Sequence, residues 1–195
     1  MAVKIIFWSC LVAILGYFAY QELTVVTDSI SLQTVIPAKR SDVFRVLLNP
    51  EFVPLKFQPL CVSISNITTS QEQDGPKTFQ FIMQERISFL GFHQISKVIT
   101  FQVNVTVIQE NAEIHNSMNP VGGIIQVRHT WKMTDSKSNG GEDETLLEDH
   151  FEFTTRCLLA RFVKRTALGV HTDMLKSIRK HFIETSKKHN DDTSA

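Results

Sequence analysis

Cysteine is scarce in this chain of 195 residues, with only Cys10, Cys61 and Cys157. Three thiols are too few for a disulfide-built scaffold. None falls in a CxxC pair or at metal-binding spacing beside histidine. Cys61 and Cys157 could pair in an oxidising compartment, but two buried free thiols are the expectation. Charge of one sign is also missing, since 20 Lys and Arg face 20 Asp and Glu. A general nucleic-acid binder needs a basic footprint, so that class is excluded. HExxH, GxSxG and P-loop patterns are absent, and the seven histidines are scattered. "NPVGG" at 119–123 is glycine-rich without a following helix, which removes the phosphate-cradle reading. No cofactor or metal site is therefore expected, and no residue is assigned a catalytic role.

What the chain does have is one long apolar run. Ile5–Gln21 carries no charge, and about 17–20 apolar residues suffice to cross a bilayer. A helix packed on a core would show polar residues every three or four positions, and this one is apolar all round. A cleaved leader and an uncleaved anchor are the two readings left. Tyr17 and Phe18 before Ala19 spoil the small-residue cleavage pattern. Tyr17 and Tyr20 instead suit the aromatic belt of a membrane interface. The expectation is a transmembrane signal-anchor and linker over 1–28, a folded domain over 29–185, and a disordered tail over 186–195.

After the linker, Ser29–Ile36 alternates as a strand and Pro37 stops it. Ser41 or Asp42 then caps a helix carrying Val43, Phe44, Leu47 and Leu48 on one face. Pro50 and Pro54 break the chain around a second short helix. Six strand-like stretches follow, from Cys61 to Thr155, divided by turn signals such as Asp74-Gly75-Pro76, Leu90-Gly91 and Ser136–Gly141. From about Leu158 to Lys188 the period becomes helical, with Leu159, Phe162, Val163, Thr166, Val170, Met174, Ile178 and Phe182 in one stripe. Gly169 interrupts it, and a kink or close contact is expected there. The class is α+β: a curved antiparallel sheet of about seven strands whose apolar face is covered by the long C-terminal helix.

The run "TVIPAKRSDVFRVLLNPEFVP" resembles the opening of the START-related (SRPBCC) helix-grip superfamily. Ile36-Pro37-Ala38, Val43-Phe44, Leu47, Asn49-Pro50 and Pro54 carry the likeness, with the strand "TLLEDHFEFT" and the closing helix. A Trp often found after the Pro is replaced by Phe57 as the nearest aromatic. The resemblance implies a hydrophobic cavity for lipids, sterols or polyketides, in proteins of which many are not enzymes.

Alternation sorts the strand residues into faces. Phe79, Phe81, Met83 and Glu85 share one face, as do Phe101 and its neighbours, His129 with Trp131, and Asp149 with Phe151. Val163, Val170 and Met174 would meet them from the helix. These residues form the expected ligand-binding wall. Glu85, His129 and Asp149 break its apolar character, either as a head-group anchor, as an acid/base set, or as groups that merely satisfy one another.

The leading expectation is a membrane-anchored carrier or sensor of a hydrophobic small molecule or lipid. A cyclase- or isomerase-type enzyme and a protein-interaction module with a closed cavity are the alternatives. Asn66-Ile67-Thr68 and Asn104-Val105-Thr106 are glycosylation sequons. They favour a luminal or extracellular domain of the endoplasmic reticulum or secretory pathway, secreted if the leader is cleaved. Residues 156–189 are strongly basic, which suits an anionic membrane on the cytosolic side. The two signals point to opposite faces of a bilayer, and no protein partner is indicated.

Overall fold

The computed structural model describes residues 2–71, 75–88, 96–138, 140–141 and 143–192, with side chains described between residues 10 and 186. The expected turns at Asp74 and at Leu90-Gly91 lie outside the described residues. The chain opens with helix α1 (Ala2–Leu23), strand β1 (Val25–Ile36) and the short helices α2 (Arg40–Leu47) and α3 (Phe52–Phe57). Six strands follow: β2 (Cys61–Ser70), β3 (Thr78–Ser88), β4 (Ser96–Gln109), β5 (Glu113–Met118), β6 (Gln126–Lys137) and β7 (Asp143–Arg156). Helix α4 (Cys157–Asp192) closes the fold.

The strands form one antiparallel sheet in the order β1-β7-β6-β5-β4-β3-β2. Neighbours in sequence are neighbours in space except for β1, which crosses to pair with β7 over its whole length, Val25 opposite Arg156 and Ile36 opposite Thr145. That register explains why β1 begins at Val25 instead of Ser29. The anticipated linker has strand partners, so it is part of the sheet. Period-two alternation holds where the sheet has one covered face: in β6, Val127, His129, Trp131 and Met133 are buried while Arg128 and Lys132 are exposed.

Helix α4 lies against β1 and β7. Val163, Ala167, His171, Met174, Leu175, Ile178 and Phe182 are buried along it at steps of three and four. Its C-terminal half packs with α2 and α3 (Val43, Phe44, Leu47, Val53, Phe57) onto Ile114, Met133 and Leu147. Val163 and Ala167 near its start join Ile30, Val127, Phe151 and Phe153. Burying one such aliphatic or aromatic side chain stabilises the fold by roughly 1.5–3 kcal/mol. Phe81, Met83, Phe101 and Val103 form a separate group on β3 and β4. The helix does not fill the space before them.

Several local expectations are corrected. Helix α2 begins after Lys39, and no side chain caps it. Ser41 and Asp42 fall inside its first turn, where the Asp42 charge suits the helix dipole. Asn49 makes the turn into α3 by accepting hydrogen bonds from the backbone N–H of Glu51 and Phe52, at 3.1 and 3.0 Å. Gly169 is exposed in an unbroken helix, and a Cβ there would meet nothing within 4 Å. It therefore makes no close contact. The polar tail expected from 186 onward is helical to Asp192, and 193–195 lie outside the described residues. All three cysteines are free thiols.

The membrane span anticipated at the N-terminus is not found, because among the described residues no helix is long and apolar enough to cross a membrane. The side chains of residues 2–9, which open the apolar run, lie outside the described residues.

Candidate functional site

A cavity of about 170 Å³ lies between the curved sheet and α4, lined from α2, α3, β3, β4, β5, β6, β7 and α4. Its wall is mostly apolar. Phe79, Phe81, Met83, Phe101, Trp131 and Phe151 line it on the face that alternation assigned to them, and Val163, Val170 and Met174 line it from α4. Glu85 and His129 line it too, while Asp149 sits directly behind the wall, 2 % exposed. Pro50 and Pro54 from the helical corner and Pro120 from the β5–β6 turn complete the enclosure.

Polar groups gather where β6, β7 and α4 meet. His129 Nε2–H donates to Asp149 Oδ1 at 2.6 Å, and His171 Nδ1–H donates to Asp149 Oδ2 at 2.7 Å. The amide nitrogen of Asn116 on β5 donates to His129 Nδ1 at 3.2 Å. All four residues are buried. The His171 ring packs T-shaped with Phe151 (centroids 4.7 Å apart) and with His129 (4.8 Å), contacts that restrain its orientation.

Charge follows from these bonds. Burial pushes the Asp149 carboxyl upward, but the imidazoles of His129 and His171 outweigh it and hold the group well below the usual carboxylate range. Burial also depresses His129, against the pull of Asp149 and with help from His171 and His150. A neutral His129 has one N–H, used on Asp149, and one lone pair, which takes the Asn116 amide. The carboxylate is thus bonded at both oxygens.

Across the cavity, Glu85 on β3 accepts a hydrogen bond at Oε1 from the Gln58 amide. Burial raises its pKa from 4.5 to about 7, with His171 and the Gln58 bond pulling it the other way. The thiol of Cys61, opposite Glu85 in the β2–β3 pair, is pushed up to about 11 by burial and by the Glu85 charge. The Trp131 indole N–H is sealed in without a partner among the described residues.

His129, Asp149 and His171 are metal-ligand types, and their candidate ligand atoms lie within 4.8 Å of one another. Separate strands and a helix bring them together, so no spacing in the chain announced them. In the geometry present, the two nitrogens facing Asp149 carry protons and not free lone pairs. A metal would have to displace both.

His171, Asn116 and Gln58 escaped the sequence reading. His171 lies four residues from both Ala167 and Leu175, on the buried stripe of α4. The stripe read from the sequence ran through Thr166, Val170 and Met174 and passed over it. Its position beneath Asp149 depends on the sheet's curvature, which has no local sequence signal. Of the two sequons, Asn66 is exposed at an irregularity in β2 with a φ of 54°. Asn104 is half-buried, and its side-chain oxygen accepts from Gln102 Nε2 at 2.8 Å.

Seven antiparallel strands gripping a C-terminal helix around an apolar cavity define the helix-grip architecture. Solved structures share it. An aromatase/cyclase, Zhui, from Streptomyces sp. R1128 superposes with a TM-score of 0.58 at 12% identity, covering 80% of this chain and 94% of its own. A START superfamily protein from Mycobacterium smegmatis gives 0.59 at 14%, over 80% and 98%. Norcoclaurine synthase from Thalictrum flavum gives 0.52 at 12%, over 84% and 91%. These likenesses, all at 14% identity or less, show the helix-grip fold. No protein-family model and no curated protein matches the chain.

Proposed function

We propose that this domain binds a small, largely apolar molecule in the cavity between sheet and α4, and that α1 holds it at a membrane. The observation that carries the first part is the wall itself, aromatic and aliphatic on every side with a few convergent polar groups. Size narrows the ligand. A volume of about 170 Å³ is nearer the roughly 150 Å³ cavity that takes benzene than the roughly 300–1,000 Å³ of common ligand sites. One or two rings, or a short acyl segment, fit better than a whole sterol. Each buried CH₂ would contribute about 0.8 kcal/mol.

Support for anchoring comes from α1, where Val12, Ile14, Leu15, Tyr17, Phe18 and Tyr20 are exposed among the described residues. Exposed Asn66 supports a luminal or extracellular domain in the secretory pathway.

Native mass spectrometry of the full chain extracted from membranes tests binding directly. A bound apolar molecule of small mass is expected, and its absence across preparations sinks the reading. Endoglycosidase digestion with N-terminal sequencing tests topology: a mobility shift and an intact N-terminus are expected.

A further inference from the structure

We propose that the same cavity is an acid–base active site, with His171 Nε2 as general base, Glu85 as general acid, and Asp149 and His129 as positioning residues. The inference rests on the binding reading above.

Elimination singles out the two acting groups. His129 has both ring nitrogens bonded, one to Asn116 and one to Asp149. Asp149 has both oxygens bonded, one to each imidazole. His129 therefore has no ring nitrogen left for a substrate, and Asp149 is not part of the cavity wall. His171 commits only Nδ1, and its Nε2 has no partner among the described residues. Glu85 commits only Oε1, to Gln58. Both His171 and Glu85 line the cavity.

Asp149 does for His171 what an orienting carboxylate does in general: it keeps the proton on Nδ1 and leaves a lone pair on Nε2. Glu85 supplies the complement, because burial lets it hold its proton close to neutral pH, at a pKa of about 7. A base and an acid facing one apolar space suit the transfer of a proton at carbon beside a carbonyl. His171 Nε2 takes the proton from that carbon, the C–H electron pair moves toward the oxygen, and Glu85 protonates the oxygen to give an enol. In the return half, His171 delivers its proton to a second carbon of the conjugated system and Glu85 recovers its own from the oxygen. The net change is isomerisation, so atoms and electrons balance without a co-reactant. The substrate class is a one- or two-ring ketone, mostly apolar, of a size set by the cavity.

A β,γ-unsaturated 2-octalone serves as probe with the full chain in nanodiscs. Calorimetry measures binding, and absorbance follows formation of the conjugated isomer. The wild type is expected to bind it and to accelerate conversion at least about 100-fold over buffer. His171→Gln and Glu85→Gln should each remove at least about nine-tenths of kcat while the dissociation constant stays within about threefold. His171→Phe, which keeps a ring in place, should do the same. Asp149→Asn should lower kcat, leave KM nearly unchanged and displace the pH profile of kcat, a signature that lost packing alone does not produce. Circular dichroism melts confirm that each variant folds. Binding without acceleration overturns the proposal while leaving the binding reading intact. Full rate in both His171 variants also overturns it, as does a rate that needs added zinc and vanishes on chelation. Failure of this ketone and of other small apolar probes to bind counts against both readings.

Discussion

Asp149 reaches from β7 to α4 and accepts the Nδ1–H of His171 at 2.7 Å, while its other oxygen accepts from His129 at 2.6 Å. One carboxylate therefore satisfies two buried imidazoles on two different elements. Asp149→Ala would leave both N–H groups unpaired, and a loss of about 3–5 kcal/mol is expected in urea unfolding. Asp149→Asn keeps an acceptor and should lose only about 1–3 kcal/mol. Near-equal stability of wild type and the Ala variant would mean the triad is not closed in solution.

Glu85 makes stability depend on pH in a direction opposite to an ion-paired acid. Its pKa is 4.5 ordinarily and about 7 when folded. Between those values the folded state holds more protons than the unfolded one, so stability falls as pH rises. The penalty is absent below the unfolded pKa and complete above the folded one, approaching about 3 kcal/mol. Glu85→Gln should flatten this slope, read as the difference between wild-type and variant denaturation curves from pH 4 to pH 8 (~4–8 being the span that brackets both values). Gln58 and His171 are the groups that act on Glu85, and neither is altered by the substitution. An unchanged slope would mean Glu85 is hydrated and ionised as an ordinary carboxylate.

Gly169 is expected to be improvable. It sits on the exposed side of α4 with open space around its missing Cβ. Gly169→Ala should stabilise the domain by about 1 kcal/mol, seen as a rise in Tm. A fall would reveal a contact made only in the membrane or with a partner.

Ile178 and Leu158 offer a paired test of how α4 docks. Ile178 is fully buried against the α2–α3 corner, whereas Leu158 in the first turn is exposed. Truncating Ile178 to Ala should cost about 2–5 kcal/mol. The same change at Leu158 should stay within about 0.5 kcal/mol. Similar losses at both sites would contradict the observed helix face.

Much of the fold was legible because sheets with one covered face repeat every second residue. Phe79, Phe81, Met83 and Glu85 are assigned inward by parity alone, and they face the cavity. His129 and Asp149 follow from the same parity on adjacent strands, and the antiparallel register brings them together. His171 was illegible for a different reason. Whether a polar residue on an apolar helical stripe meets a partner depends on how the sheet bends around the helix, a long-range property. Local pattern also fails at chain reversals, as at α2, where Lys39 and not Ser41 or Asp42 precedes the helix. The early start of β1 is of the same kind: Val25 is a strand residue because Arg156 lies opposite it.

That early start has a mechanical consequence. Between the end of α1 at Leu23 and the beginning of β1 at Val25 there is a single residue. Thr24 is held on both sides, its N–H bonded to the Tyr20 carbonyl at 2.9 Å and its own carbonyl accepting the Cys157 N–H at 2.8 Å. Arg156 adds a bond to the Leu23 carbonyl at 3.2 Å. The first helix is thus a rigid stalk clamped at the point where β7 passes into α4. Any surface that fixes the tilt of α1 therefore also bears on the orientation of β1 and of α4, the helix that carries His171.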